Sequence, residues 1–254
     1  MILDSFRLDG RVALVTGGNR GLGQACAVAL AEAGADIALL GRTEPSETNA
    51  RLRALRRRAV HIPCDLAEAG PAGIAAAVDA ALSEMGRIDI LVNNAGIIRR
   101  APAAEVTGAD WDEVLTVDLD AVFQLCQAAG RTMIARGRGK IINVASMLSF
   151  QGGVRVPAYA AAKHAVIGLT KALANEWAAF GVNVNAVAPG YMATGNTAPL
   201  RADPERSAAI LDRIPAGRWG TPEDLMGAVV FLASDAARYV HGTVLAIDGG
   251  WLAR

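Results

Sequence analysis

The chain has 254 residues, enough for one large domain or two small ones. Its 25 basic and 25 acidic residues cancel, so no positive surplus exists to neutralise a phosphate backbone; nucleic-acid binding is excluded as its main task. A hydrophobic share of 52% excludes global disorder, and with only 5% aromatics the core must be filled by Ala, Val, Leu and Ile.

Cys26, Cys64 and Cys126 are an odd number without CxxC spacing, each in an apolar stretch. They are expected to be buried, reduced thiols of a cytoplasmic protein. The N-terminal segment has no basic region followed by an apolar one, so no signal peptide is expected. The longest uncharged run, 177–200, carries three Asn and two Pro, and no membrane association is expected. His61, His164 and His241 are scattered, so no metal site is expected.

Short β-rich runs alternate with longer helical stretches. In chain order the predicted strands are 12–15, 36–40, 60–63, 88–92, 140–144, 183–187 and 244–247. Most are continuous apolar runs, the pattern of strands covered on both faces. The predicted helices between them are 23–33, 47–58, 73–85, 109–136, 157–180 and 222–233. Pro157 and Pro222 suit a first helical turn, and Gly34 and Gly181 suit a stop. Strand–helix alternation predicts a doubly wound, Rossmann-type α/β domain with a seven-stranded parallel sheet between helices. No linker or repeat interrupts it, so residues 1–254 are expected to form a single dinucleotide-binding and catalytic domain. The segment 190–214 is long for a connection and is expected to cover a site.

The first strand runs into Thr16-Gly17-Gly18-Asn19-Arg20-Gly21-Leu22-Gly23, which opens a helix. Gly17 permits a tight turn, Gly21 lets backbone approach a pyrophosphate, and Gly23 permits close helix–strand packing. The helix N-terminus offers N–H groups and partial positive charge to an anion. The spacing is TGxxxGxG, and further motifs follow in order: Asp65-Leu66, Asn93-Asn94-Ala95-Gly96, Ser146 thirteen residues before Tyr159-Ala-Ala-Ala-Lys163, and Pro189-Gly190 with Thr194. In these motifs the whole chain resembles the short-chain dehydrogenase/reductase family.

That resemblance implies a set of roles. Ser146, Tyr159 and Lys163 are the catalytic positions. Gly17, Asn19, Arg20, Gly21, Leu22, Gly23, Arg42, Asp65, Leu66, Asn93, Ala95, Gly96, Pro189, Gly190, Met192 and Thr194 contact the dinucleotide, together with Tyr159 and Lys163. The physical need is plain. A phenol with a pKa near 10 is a poor base at neutral pH, and a nearby cation favours its ionised form. Tyr159 and Lys163, four apart on one helix, face the same way. Tyr159 is expected to exchange a proton with a C–OH/C=O centre, Ser146 to fix that oxygen, and the dinucleotide to carry the hydride. One departure stands out: the family's usual Asn in the fourth helix is here Asp118, which puts the proton relay through Lys163 in question.

The second strand ends Leu39-Leu40-Gly41-Arg42, without the acidic residue that would repel a 2′-phosphate. Arg42, with Arg20, suits such a phosphate, so NADP(H) is favoured over NAD(H). The segments 94–100, 146–153, 188–194 and 248–254 resemble the branch of the family that acts on gluconate- and deoxygluconate-type sugar acids. For such a substrate Arg155 is the first choice to meet the carboxylate, with Ser146, Gln151 and Asn196 for hydroxyls; Arg99, Arg100 and Arg201 are further cations near that edge. The resemblance also implies a homotetramer built on the two long helices. A 3-oxoacyl carrier-protein reductase uses the same trio and is the alternative enzyme; a non-catalytic dinucleotide-sensing scaffold is the alternative without catalysis.

Overall fold

The computed structural model describes residues 1–254. Seven strands pair in parallel in the order β3-β2-β1-β4-β5-β6-β7: β1 Val12–Thr16, β2 Asp36–Gly41, β3 Ala59–Pro63, β4 Ile90–Asn93, β5 Gly139–Val144, β6 Val182–Pro189 and β7 Val244–Ile247. The order reverses direction between β1 and β4, and the crevice beyond the carboxyl ends of these strands is where a doubly wound sheet binds ligands. The longer helices are α1 Gly21–Glu32, α2 Ser46–Ala54, α3 Gly70–Met85, α4 Gly108–Leu115, α5 Ala121–Arg136 and α6 Pro157–Trp177; α7 Ala198–Ala202, α8 Pro204–Arg213 and α9 Met226–Ala233 follow.

Strand alternation divides the core in two. Leu14, Leu91, Ile141 and Val184 point to one face, where Val78 of α3, Leu125 of α5 and Val166 and Trp177 of α6 cover them. Ala13, Val15, Ile37, Val92 and Val187 point to the other, covered by Leu30 of α1, Leu52 of α2 and Leu232 of α9. Burial on both faces is why the strands read as continuous apolar runs. The edge strand β7 departs from that expectation: Leu245 and Ala246 are exposed, because no element covers its outer side.

Three predicted helices are corrected. The 109–136 helix is two helices, α4 and α5, joined by a π-turn over Thr116–Asp120 that widens the spiral by one residue per turn. The 47–58 helix stops at Ala54, since Arg56 takes a positive φ of 57°. The 222–233 helix begins as a tight 3-10 turn over Pro222–Leu225 before α9. The segment 190–214 is ordered by α7 and α8, which lay Ile210 and Ile214 on Met147 and Trp251. Cys26 and Cys126 are buried, whereas Cys64 is partly exposed at the end of β3; all three are unpaired. No helix is long and apolar enough to cross a membrane.

Candidate active site

The carboxyl edge of the sheet opens into a cleft of about 1030 Å³, roomy enough for a dinucleotide and a small substrate. Its floor is the turn between β1 and α1. Gly17 and Gly21 hold φ angles of 65° and 58°, which glycine adopts without strain. No side chain caps the first turn of α1, so its N–H groups are directed to an anion. A Cβ on Gly23 would collide with the Gly17 carbonyl and the Asn94 amide, so only bare backbone closes this floor. The turn is tied to the end of β4: the Asn94 Nδ2 donates to the Thr16 carbonyl at 2.9 Å, and Thr16 Oγ1 accepts from the Asn94 and Ala95 N–H groups at 3.0 and 2.9 Å. A glycine floor, a bare helix N-terminus and cationic Arg20 and Arg42 at the cleft wall fit a dinucleotide.

Ser146 follows β5 and starts a 3-10 turn, its Oγ accepting from the Leu148 N–H at 3.1 Å. Ser149 holds this turn to α6. Its Oγ donates to the Lys163 carbonyl at 2.6 Å and accepts from the Ser146 N–H at 3.3 Å. On α6, Tyr159 and Lys163 lie on one face, with the ammonium 5.5 Å from the phenol ring centroid. Lys163 is 3% exposed, so its charge must be met inside the protein. Its Nζ donates to the Val144 carbonyl at 3.0 Å and lies 3.4 Å from Asp118 Oδ2.

Three ionisations are coupled here. Burial pushes the Tyr159 phenol above its ordinary value; Lys163, Ser146 and Arg100 oppose that, and Asp118 adds to it. Burial disfavours the Lys163 ammonium, but Asp118 and Tyr159 outweigh it and the group rises, so Lys163 stays charged. Burial also raises the Asp118 carboxyl, against the pull of Lys163 and the Ile97 N–H.

Most residues anticipated from sequence meet in this cleft: Gly17, Asn19, Arg20, Gly21, Leu22, Gly23, Arg42, Asp65, Leu66, Ala95, Gly96, Pro189, Gly190, Met192 and Thr194 line it with Ser146, Tyr159, Lys163, Gln151 and Asn196. Asn93 does not. It is buried, and its amide donates to Asn143 Oδ1 at 2.9 Å, because successive residues of β4 point to opposite faces and Asn94 takes the cleft side. Arg155 is also outside the wall. It is exposed, with a positive φ of 64°, and does not line the cleft. Arg99 is held at the surface by Glu113, 2.7 Å away. The cleft contains two of the other expected cations, Arg100, whose guanidinium donates to the Asn196 carbonyl at 3.0 Å, and Arg201, which donates to the Thr194 carbonyl at 3.1 Å, together with Arg213 of α8. Arg213 stacks 4.0 Å over the Trp251 ring and donates to Gln151 Oε1 at 3.1 Å. Sequence reasoning missed Arg213, which lies 54 residues beyond Tyr159 in a segment without a motif. It also passed over Thr16 and Asn94, although both stand inside motifs it had found.

Known proteins resemble this chain over its whole length. The family model described as enoyl-(acyl carrier protein) reductase matches residues 17–252. The 2-dehydro-3-deoxy-D-gluconate 5-dehydrogenase of Escherichia coli (strain K12) is 57% identical over 100% of both chains. The protein of the same name from Bacillus subtilis (strain 168) is 54% identical, over 99% of this chain and 98% of its own. The crystal structure of a gluconate 5-dehydrogenase from Burkholderia cenocepacia J2315 in complex with NADP and tartrate is 44% identical over 100% of both chains, with a TM-score of 0.94. Fold and relatives thus define an NAD(P)-dependent oxidoreductase. The chain belongs to the short-chain dehydrogenase/reductase family.

Because the floor depends on bare backbone at Gly23, Gly23→Ala is expected to weaken dinucleotide binding at least tenfold, about 1.4 kcal/mol. Fluorescence titration with NADPH checks this; unchanged affinity contradicts the role given to the β1–α1 turn.

Proposed function

We propose that this enzyme interconverts a secondary alcohol and a ketone on a sugar acid of the deoxygluconate or gluconate type, with NADP(H), in the cytoplasm. The observation that carries the reading is one cleft holding Ser146, Tyr159 and Lys163 beside several arginines without a carboxylate partner, Arg100, Arg201 and Arg213 among them. The names of the relatives and their high identity over full length support the substrate class.

The turn at Gly17–Gly23 binds the pyrophosphate on the α1 N-terminus. Asp65 and Leu66 would hold the adenine end, and Ala95, Gly96, Pro189, Gly190, Met192 and Thr194, which line the same cleft, would hold the nicotinamide half. When bound, the dinucleotide supplies hydride acceptance and donation at the substrate carbon. Lys163 holds the ribose hydroxyls and keeps a positive charge beside the phenol. In oxidation the ionised Tyr159 would take the proton of the substrate hydroxyl, and in reduction the neutral phenol would donate one to the substrate oxygen. Ser146 hydrogen-bonds the same oxygen and fixes the angle of approach. Arg100 and Arg213 meet the carboxylate, with Gln151 and the Asn196 segment setting their positions.

The 2′-phosphate favours Arg42. Its present partner is Asp65 at 3.3 Å, with the Arg42 side chain 77% exposed. Such an exposed pair contributes about 0–1 kcal/mol, so a doubly charged phosphate displaces it readily. A homotetramer suits the apolar surface left on this chain: Trp111 on α4, Phe123 on α5, Phe180 beyond α6 and Leu245 on the β7 edge are all exposed.

Four measurements test these statements. A keto-deoxy sugar acid, the ketone form of the substrate, is expected to be reduced faster than an acetoacetyl thioester, and Tyr159→Phe to lower that turnover by about 10²–10⁴ while dinucleotide binding persists. Preference for the thioester would favour a carrier-protein reductase, and undiminished turnover would refute the acid/base role. Arg42→Ala is expected to raise KM for NADP+ about tenfold or more and leave KM for NAD+ nearly unchanged; equal effects on both contradict the phosphate contact. Light scattering is expected to give four times the chain mass of 26.3 kDa, and a single-chain mass contradicts the tetramer.

A further inference from the structure

Asp118 is a carboxylate with 0% exposure, set behind the catalytic trio by the π-turn between α4 and α5. Oδ1 accepts from the Ile97 N–H at 2.7 Å. Oδ2 makes no hydrogen bond and has one charged neighbour, the Lys163 ammonium at 3.4 Å. An amide would satisfy Ile97 equally well, so the backbone does not need the charge. A buried carboxylate costs several kcal/mol unless a cation answers it, and the one that answers here is the cation that also serves Tyr159.

We propose that Asp118 is a positioning residue for the reaction: its carboxylate shares the Lys163 ammonium with the Tyr159 phenol and so sets the pH range in which the phenol exchanges its proton. This rests on the reading of Tyr159 as the acid/base.

The charged groups around the phenol come from three elements. Lys163 faces it from α6 itself, Arg100 from the segment after β4, and Asp118 from the π-turn; Ser146, after β5, is neutral. Two of the charges favour the phenolate and Asp118 opposes it. The Val144 carbonyl holds the ammonium between the two anions, and Ser149 holds the Lys163 main chain. Asp118 therefore does two things. It keeps Lys163 protonated inside the protein, and it subtracts from the stabilisation Lys163 gives the phenolate. With Lys163 still charged, held by the Val144 carbonyl and by the phenolate itself, removing that negative charge lets the phenol ionise at lower pH. Alcohol oxidation, which needs phenolate, then gains rate at lower pH. Ketone reduction, which needs the neutral phenol, loses rate at lower pH.

The test is the pH dependence of kcat for Asp118→Asn in both directions, with the sugar acid and NADP(H). Asn retains an acceptor for the Ile97 N–H. The apparent pKa is expected to fall by about one unit in both profiles. Coincident profiles, or a shift to higher pH, overturn the proposal even where the plateau rate changes, since a merely structural role moves the plateau and not the midpoint. Ultraviolet titration of phenolate absorbance, differenced against Tyr159→Phe in each background, reads the same midpoint without turnover. It therefore still reports on Asp118 if Tyr159 proves not to be the acid/base. If Asp118→Asn does not fold, Asp118→Ser removes the charge with less volume and is read by the same two measurements.

Discussion

An ammonium group placed where water does not reach is the constraint around which this molecule is arranged. Lys163 is held in that position by a main-chain carbonyl from β5 and a carboxylate from the π-turn, while its own backbone is tied by Ser149 to the turn that carries Ser146. Each of these partners lies on a different element, so the charge can be satisfied only when sheet, π-turn and α6 are assembled together. The cost of leaving such a charge unpaired, several kcal/mol, links the geometry of the site to the stability of the fold.

The sheet supplies the rigid half of the arrangement. With both faces covered, its carboxyl edge is a fixed line on which the β1–α1 turn, the Asn94–Gly96 segment and the Ser146 turn are set at constant spacing. The Thr16–Asn94 hydrogen bonds join the first two, and the parallel register of Asn93 with Asn143 sets the third beside them. The opposite wall is built differently. Tyr191, Trp219 and Trp251 meet edge-on, with centroids 4.8–5.5 Å apart, and Ile210 and Ile214 rest against Trp251 and its neighbours. This small apolar cluster anchors α7 and α8 over the cleft, and Arg213 reaches in from it. Precision thus comes from strands and specificity from a segment that can vary without disturbing them.

Fold class was legible because its signal is physical and repeated: seven apolar runs separated by helical stretches leave few alternatives to a parallel sheet. The glycine turn and the Tyr159–Lys163 spacing were legible because they depend on local geometry, a positive φ in one case and a single helical turn in the other. Asn93 and Asn94 are adjacent in one motif, and only Asn94 lines the cleft while Asn93 is buried against Asn143, a difference the motif does not carry. Arg155 was chosen for its nearness in sequence to α6, which says nothing of the exposed, left-handed position it takes beside the cleft. Arg213 was invisible, since the stacking on Trp251 that brings it to the site joins residues 38 positions apart. The break between α4 and α5 was invisible for a related reason: a π-turn adds one residue without changing the apolar rhythm on either side, yet it is what delivers Asp118 to Lys163.

The most direct test of the account is a crystal structure with NADP+ and a sugar acid bound. Tyr159 Oη and Ser146 Oγ are expected to converge on one substrate oxygen at hydrogen-bond distance, with Lys163 Nζ on the nicotinamide ribose and the sugar carboxylate against Arg100 or Arg213. A substrate seated with its oxygen on neither hydroxyl, or a dinucleotide lying away from the β1–α1 turn, would contradict it.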